Sequence, residues 1–229
     1  MGGDEIPADM YGAYLRNGPN PQFKPGNRYH PFDGDGLVNG VYFADGKASY
    51  RNSQVDTACL RKEQQAGETI WPGVMGPFDF SLPDFPIKDT ANTDIIWHNG
   101  KLISLWYNSG IPYTLDPITL ENTGPLEFGS KLTRKMSAHS RVDWNTGEMF
   151  FFDYGDEPPY MVYGVLGPDG TEYGIRILAH DHANEQPFTR SQSGIPIPAD
   201  VQTVTIQGRD LANGWGGLTF ELTLPGVDG

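Results

Sequence analysis

The side chains of this 229-residue chain best suited to metal chemistry are five histidines: His30, His98, His139, His180 and His182. A neutral imidazole is the commonest nitrogen ligand of a transition metal. Read on residue type alone, a single histidine such as His139 is a buried ring hydrogen-bonded to backbone. His180-Asp181-His182 suits a weak surface metal site or a solvated loop. Asp33 and Asp35 invite a calcium reading. Leu37 and Asn39 do not continue the alternating oxygen ligands of a calcium loop, so a tight turn is the better account. The one cysteine, Cys59, rules out an internal disulfide and points to a reducing, intracellular compartment.

The elements that must position these residues read as strands. Asp45-Gly46 stands between the runs Gly36–Phe43 and Ala48–Asn52, and Asn99-Gly100 between Asp94–His98 and Leu102–Tyr107. Such dipeptides between apolar runs are the strongest short hairpin signals. Ile111–Leu115 leads into Asp116-Pro117. Arg141–Asp143 and Glu148–Tyr154 flank Asn145-Thr146-Gly147, and Tyr160–Leu166 and Tyr173–Leu178 flank Pro168-Asp169-Gly170. No long amphipathic helix is evident. The expectation is an all-β chain of repeated hairpins: four-stranded antiparallel blades of a propeller, with a sandwich fitting the periodicity almost as well. Residues 179–200 are polar and contain proline, and read as a linker. Residues 201–229 read as a β-rich tail, with strands at Val201–Ile206 and Leu218–Leu224.

The 29 acidic residues outnumber 16 basic ones, giving a net charge of −13. Such a surface repels phosphate backbones, which excludes nucleic acid as a natural partner. The opening Met1-Gly2-Gly3-Asp4-Glu5 is neither basic nor apolar, and no apolar run approaches the roughly 20 residues of a membrane span. A soluble, cytoplasmic protein is expected.

A series of segments then becomes specific through its order. Gly12-Ala13-Tyr14-Leu15-Arg16-Asn17-Gly18-Pro19-Asn20-Pro21 is followed by Tyr29-His30-Pro31-Phe32-Asp33-Gly34-Asp35-Gly36, Ala48-Ser49-Tyr50-Arg51-Asn52 and Thr90-Ala91-Asn92-Thr93. His98-Asn99-Gly100-Lys101-Leu102, Pro112-Tyr113-Thr114-Leu115-Asp116-Pro117 and Ser137-Ala138-His139-Ser140-Arg141-Val142-Asp143 continue it. Over residues 1–178 this resembles the N-terminal part of the carotenoid oxygenase family.

The resemblance implies part of a seven-bladed β-propeller and a non-haem Fe(II) held by four histidines. The reaction implied is cleavage of a conjugated double bond of a carotenoid or apocarotenoid with O2, giving two carbonyl products. An apolar polyene and O2 would be the substrates, reached through peripheral contact with a membrane. The family's Ala-His-x-x-Val-Asp motif maps the first iron ligand onto His139. His30 and His98 fall in segments that are not ligand motifs, and structural roles are expected for them. His180 arrives where a second ligand is sought, but the apolar strand that should follow it is absent. Trp106-Tyr107-Asn108 stands where many relatives carry a glutamate that orients a ligand histidine. It also stands where the stilbene-cleaving branch has a lysine, which disfavours phenolic stilbenes. Seven blades of about 40–45 residues need roughly 300, so this chain is expected to be an inactive fragment. The alternative is a non-catalytic β-rich binding module.

Overall fold

The computed structural model describes residues 5–26, 28–82, 87–108, 110–126, 135–154, 161–175, 203–210 and 216–223. The expected linker at 179–200, with His180 and His182, lies outside the described residues.

The backbone builds three consecutive antiparallel sheets and a separate hairpin. Sheet I holds β1 (Gly12–Pro19), β2 (Gly36–Ala44) and β3 (Lys47–Gln54) in the order β1-β2-β3. Sheet II holds β4 (Asp94–His98), β5 (Lys101–Leu105), β6 (Tyr113–Leu115) and β7 (Asn122–Pro125) in the order β4-β5-β6-β7. Sheet III holds β8 (Arg141–Val142), β9 (Met149–Tyr154), β10 (Met161–Leu166) and β11 (Glu172–Ile175) in the order β11-β10-β9-β8. The hairpin pairs β12 (Thr203–Asp210) with β13 (Gly216–Thr223).

Turn chemistry sets the registers. Asp45 and Gly46 have φ of 50° and 68°, and Asn99 and Gly100 have 45° and 72°. Two successive positive φ values give a turn whose twist matches the flanking strands. The turns pair Ala44 with Lys47 and His98 with Lys101.

The inner strands of sheet II, β5 and β6, are buried on both faces. Leu102 of β5 joins Val38, Val55, Ala91, Tyr113, Leu115 and Leu120 in the core toward sheet I. Ile103 and Leu105 face the other way, onto Met149, Phe151 and Leu166 of sheet III. Each such side chain contributes about 1.5–3 kcal/mol when fully buried. Burial on both faces explains why β5 carries an almost unbroken apolar run rather than an alternating one. In sheet III the Phe151 ring lies over Gly164, its cross-strand partner. A Cβ at Gly164 would sit 2.2 Å from the ring's Cζ, so only glycine fits there.

One element departs from the all-β expectation: helix α1 (Ala58–Ala66). Thr57 caps it by accepting a hydrogen bond from Leu60 N, and Gly67 ends it in the left-handed region at φ 77°. Only Cys59, Leu60 and Glu63 of the helix are buried. With a carboxylate on the buried face, the apolar stripe that announces a helix is missing. Among the described residues, sheet I has three strands rather than the expected four.

Glu63 is buried because its partner is. Lys88 Nζ lies 2.5 Å from both Glu63 Oε2 and Asp35 Oδ1, and all three residues are almost wholly inaccessible. Glu63 Oε1 accepts from Thr69 Oγ1 and Ile70 N, and Asp35 Oδ2 from Gln22 N. The cation thus ties α1 to the entrance of β2. Removing one member of such a cluster leaves uncompensated buried charge. Lys88→Met keeps the apolar stem and strands two carboxylates. It should lower the unfolding free energy by about 3–5 kcal/mol, as read from urea denaturation; a loss under 1 kcal/mol would show that water reaches the cluster.

Candidate functional site

The residues upstream of β8 are threaded between sheets II and III. Met136 N donates to Gly110 O at 2.9 Å, Ala138 N to Trp106 O at 3.0 Å and Ser137 N to Phe152 O at 2.8 Å. Ser137 Oγ donates to Tyr107 O at 2.9 Å. The next residue, His139, is exposed and has a backbone φ of 73°. That left-handed conformation costs a residue with a Cβ about 1–2 kcal/mol. Its N–H donates to Asp94 Oδ2 at 2.8 Å, from the first residue of β4.

Asp94 is itself fixed. Its Oδ1 accepts from Ile95 N at 2.8 Å, and its main-chain O accepts from Asn17 Nδ2 at 3.1 Å. The same Asn17 amide reaches Ala91 O at 2.7 Å and Ser104 Oγ at 2.8 Å. Asn17 lies on β1, Asp94 on β4, and His139 just ahead of β8. The first strands of the three sheets are therefore linked in series at this point.

The three described histidines differ in what their rings do. His30 Nδ1 accepts from Phe32 N at 3.2 Å and caps a short 3-10 turn, Pro31–Asp33. His98 Nε2 lies 3.0 Å from Gly147 O, and burial holds its pKa below the ordinary value. Both do the structural work expected of them. Asp33 likewise serves turns, accepting from His30 N and Val74 N. No hydrogen bond among the described residues engages the His139 ring, so both of its nitrogens are available. Among the described residues no group of three or more His, Cys, Asp or Glu side chains stands together. Of the three described histidine rings, that of His139 is the one left free to donate to a metal, and a site built on it would need further ligands.

Aromatic side chains flank this segment. Phe32 stacks on Tyr107 at 4.3 Å, and Tyr154 Oη donates to Tyr107 O. Trp106 is wholly buried, and its indole N–H has no acceptor among the described residues.

The family model for RPE65, retinal pigment epithelial membrane protein, matches residues 3–201. The chain belongs to this family. It is 34% identical over 184 residues to carotenoid 9,10(9',10')-cleavage dioxygenase 1 of Arabidopsis thaliana, an alignment covering 72% of this chain and 34% of that one. The lignostilbene dioxygenase of Pseudomonas brassicacearum superposes with a TM-score of 0.65 at 33% identity, over 76% of this chain and 38% of that one. Cobalt-substituted ACO of Synechocystis superposes with a TM-score of 0.59 at 28% identity, over 77% and 41%. The chain thus spans about a third of the length of the curated relatives it matches.

Sequence reasoning singled out His139 in this RPE65-family chain but missed the residues that hold its backbone. Asn17 was visible only as one residue of the 12–21 segment, and Asp94 only as a strand start. Asp89 gave no signal at all. It is buried, and its carboxylate accepts from Ile111 N at 2.8 Å and Ala91 N at 3.2 Å. A Cβ on Gly110 would fall 2.6 Å from either carboxylate oxygen, so the Asp89 carboxylate packs directly on the backbone that Met136 pairs with.

Burial pushes the Asp89 carboxyl from its ordinary value of 3.8 up to about 6, against the pull of those two N–H donors and of Lys135. Between those values the folded protein holds a proton that the unfolded chain has released. The Asp89 contribution to stability is therefore fullest below pH 4 and lost as pH rises through about 6. Urea unfolding at pH 4 and pH 7 should show wild type losing about 3 kcal/mol more than Asp89→Asn. An equal loss in the two proteins would mean that Asp89 titrates as an exposed carboxylate.

Proposed function

We propose that this chain supplies the first Fe(II) ligand, His139, of an oxygenase that cleaves a conjugated double bond of a carotenoid or apocarotenoid with O2. The observation that carries the reading is an unengaged imidazole on a strained backbone, locked by Asp94 where the first strands of three sheets are tied together. Strained non-glycine backbone persists only where its surroundings over-determine it, and it clusters at functional sites. The family membership and the metal in the Synechocystis neighbour point the same way.

In this reading the three sheets are consecutive blades of a seven-bladed β-propeller. The remaining blades and ligands lie beyond the described residues. Bound Fe(II) would supply O2 activation beside the substrate double bond, adding one oxygen atom to each carbon of the cleaved bond. The chain's own residues orient the ligand: Asp94 and the 136–138 pairing hold the His139 backbone. An apolar polyene is the preferred substrate, drawn through peripheral membrane contact by a cytoplasmic protein. The lignostilbene dioxygenase match supports a second substrate reading, an aryl-conjugated alkene. Against it, the wholly buried Trp106 offers no charged partner to a phenol.

Activity requires ligands that the described residues do not contain. Purified Met1–Gly229 with Fe(II) and O2 should therefore bind the metal weakly and leave apocarotenals and stilbenes uncleaved. Fusion to the later blades of a relative should restore cleavage, and His139→Ala in that fusion should remove it, as followed by chromatography of the carbonyl products. Tight iron binding that survives His139→Ala would refute the ligand assignment. An iron-free, inactive fusion would leave the chain as a β-rich binding module.

A further inference from the structure

We propose that Asp94 is a positioning residue: its carboxylate fixes the backbone of His139 in the left-handed conformation and so sets the direction in which the imidazole is presented. This rests on the reading of His139 as a metal ligand and extends it to the group that aims the ligand.

Asp94 is held independently of His139, and His139 is held through Asp94. Both carboxylate oxygens of Asp94 are committed, Oδ1 to Ile95 N and Oδ2 to His139 N, each at 2.8 Å. The Asp94 carbonyl is held by Asn17 Nδ2. Among the described residues His139 has, besides its N–H bond to Asp94, only a long bond at its carbonyl, which accepts from Arg141 Nη1 at 3.3 Å. Its neighbour Ala138 is buried and bonded to Trp106 O, whereas His139 turns out of the packed segment at φ 73°. A backbone N–H to carboxylate bond is charge-assisted, shorter and stronger than a neutral one. It is the bond that opposes relaxation of His139 into an ordinary extended conformation. Such relaxation would let strand β8 begin two residues earlier, at His139, and swing the Cα–Cβ bond, redirecting the imidazole. A ligand's affinity depends on that preorganisation.

The test uses the full chain, Met1–Gly229, with histidine side chains labelled for NMR and Co(II) as the probe metal. Two variants are compared: Asp94→Ala, which removes the acceptor, and Asp94→Asn, which keeps one acceptor oxygen without the charge. Hydrogen exchange of the His139 amide reads the bond itself, independently of any metal. Co(II)-induced change of the His139 ring signals reads its consequence, and the His98 ring signals report whether the fold is intact.

The expected result for Asp94→Ala is at least tenfold faster exchange at His139 and at least tenfold weaker Co(II) response, with His98 unchanged. Asp94→Asn should stay within threefold of wild type on both counts. Unchanged exchange or unchanged Co(II) affinity in Asp94→Ala would overturn the positioning role while leaving the ligand assignment in place. A loss in Asp94→Asn as large as in Asp94→Ala would also overturn it, since the acceptor would not be what matters. Wild-type His139 signals indifferent to Co(II) would remove the ligand reading and this inference together.

Discussion

The inner strands of sheet II, β5 and β6, have no solvent face, and the rest of the structure follows from how that constraint is met. Leu102 and Ile103 are adjacent on β5 yet belong to different cores, one shared with sheet I and one with sheet III. Stacking of this kind is driven by apolar area and is non-directional, so it brings sheets together without specifying how far each rotates on the next. Directional bonds at the first strands supply what packing cannot. Asn17 joins β1 to the main chain of Asp94, and Asp94 joins β4 to the residue ahead of β8. His139, at the end of that series, inherits the relative orientation of all three sheets.

Charge is handled within the same frame. A chain with 13 more acidic than basic residues must keep buried carboxylates from repelling one another. It does so in two different ways. Asp35 and Glu63 share one cation, Lys88. Asp89 instead accepts backbone N–H groups, and burial raises its pKa. The first arrangement depends on a partner remote in sequence, and the second on a glycine, Gly110, that leaves room for the carboxylate. Both tie a loop to a strand entrance: Lys88 secures α1 against β2, and Asp89 secures the approach to β6.

The difference between what was legible in the sequence and what was not is one of range. The Asp45-Gly46 and Asn99-Gly100 turns were legible because their two central residues demand positive φ and little else competes for that role. The strands beside them followed. The structural roles of His30 and His98 were also legible, each ring closing a contact near a turn. Helix α1 was hidden because Glu63 occupies its buried face, and a buried carboxylate makes sense only once Lys88, 25 residues on, is in place. Strand β7 is four residues with one proline and one glycine, too weak a pattern to announce itself. Asn17, Asp89 and Asp94 act on backbone groups up to 77 residues away. A side chain bonded to a distant main chain leaves no periodicity and no spacing rule to read.

His139 shows why those silent residues matter more than a ligand motif alone. Three described histidines have the same imidazole, and composition cannot separate them. What separates them is the use of their ring nitrogens: His30 and His98 spend theirs on Phe32 and Gly147, whereas at His139 the backbone N–H carries the bond and the ring is left available. A carboxylate aimed at the ring would have tuned its basicity; aimed at the backbone instead, it fixes position. The described part of the chain thus fixes where the imidazole starts and leaves its electronics to whatever approaches the ring. Held by its main chain, the exposed His139 keeps both ring nitrogens available to whatever approaches the ring.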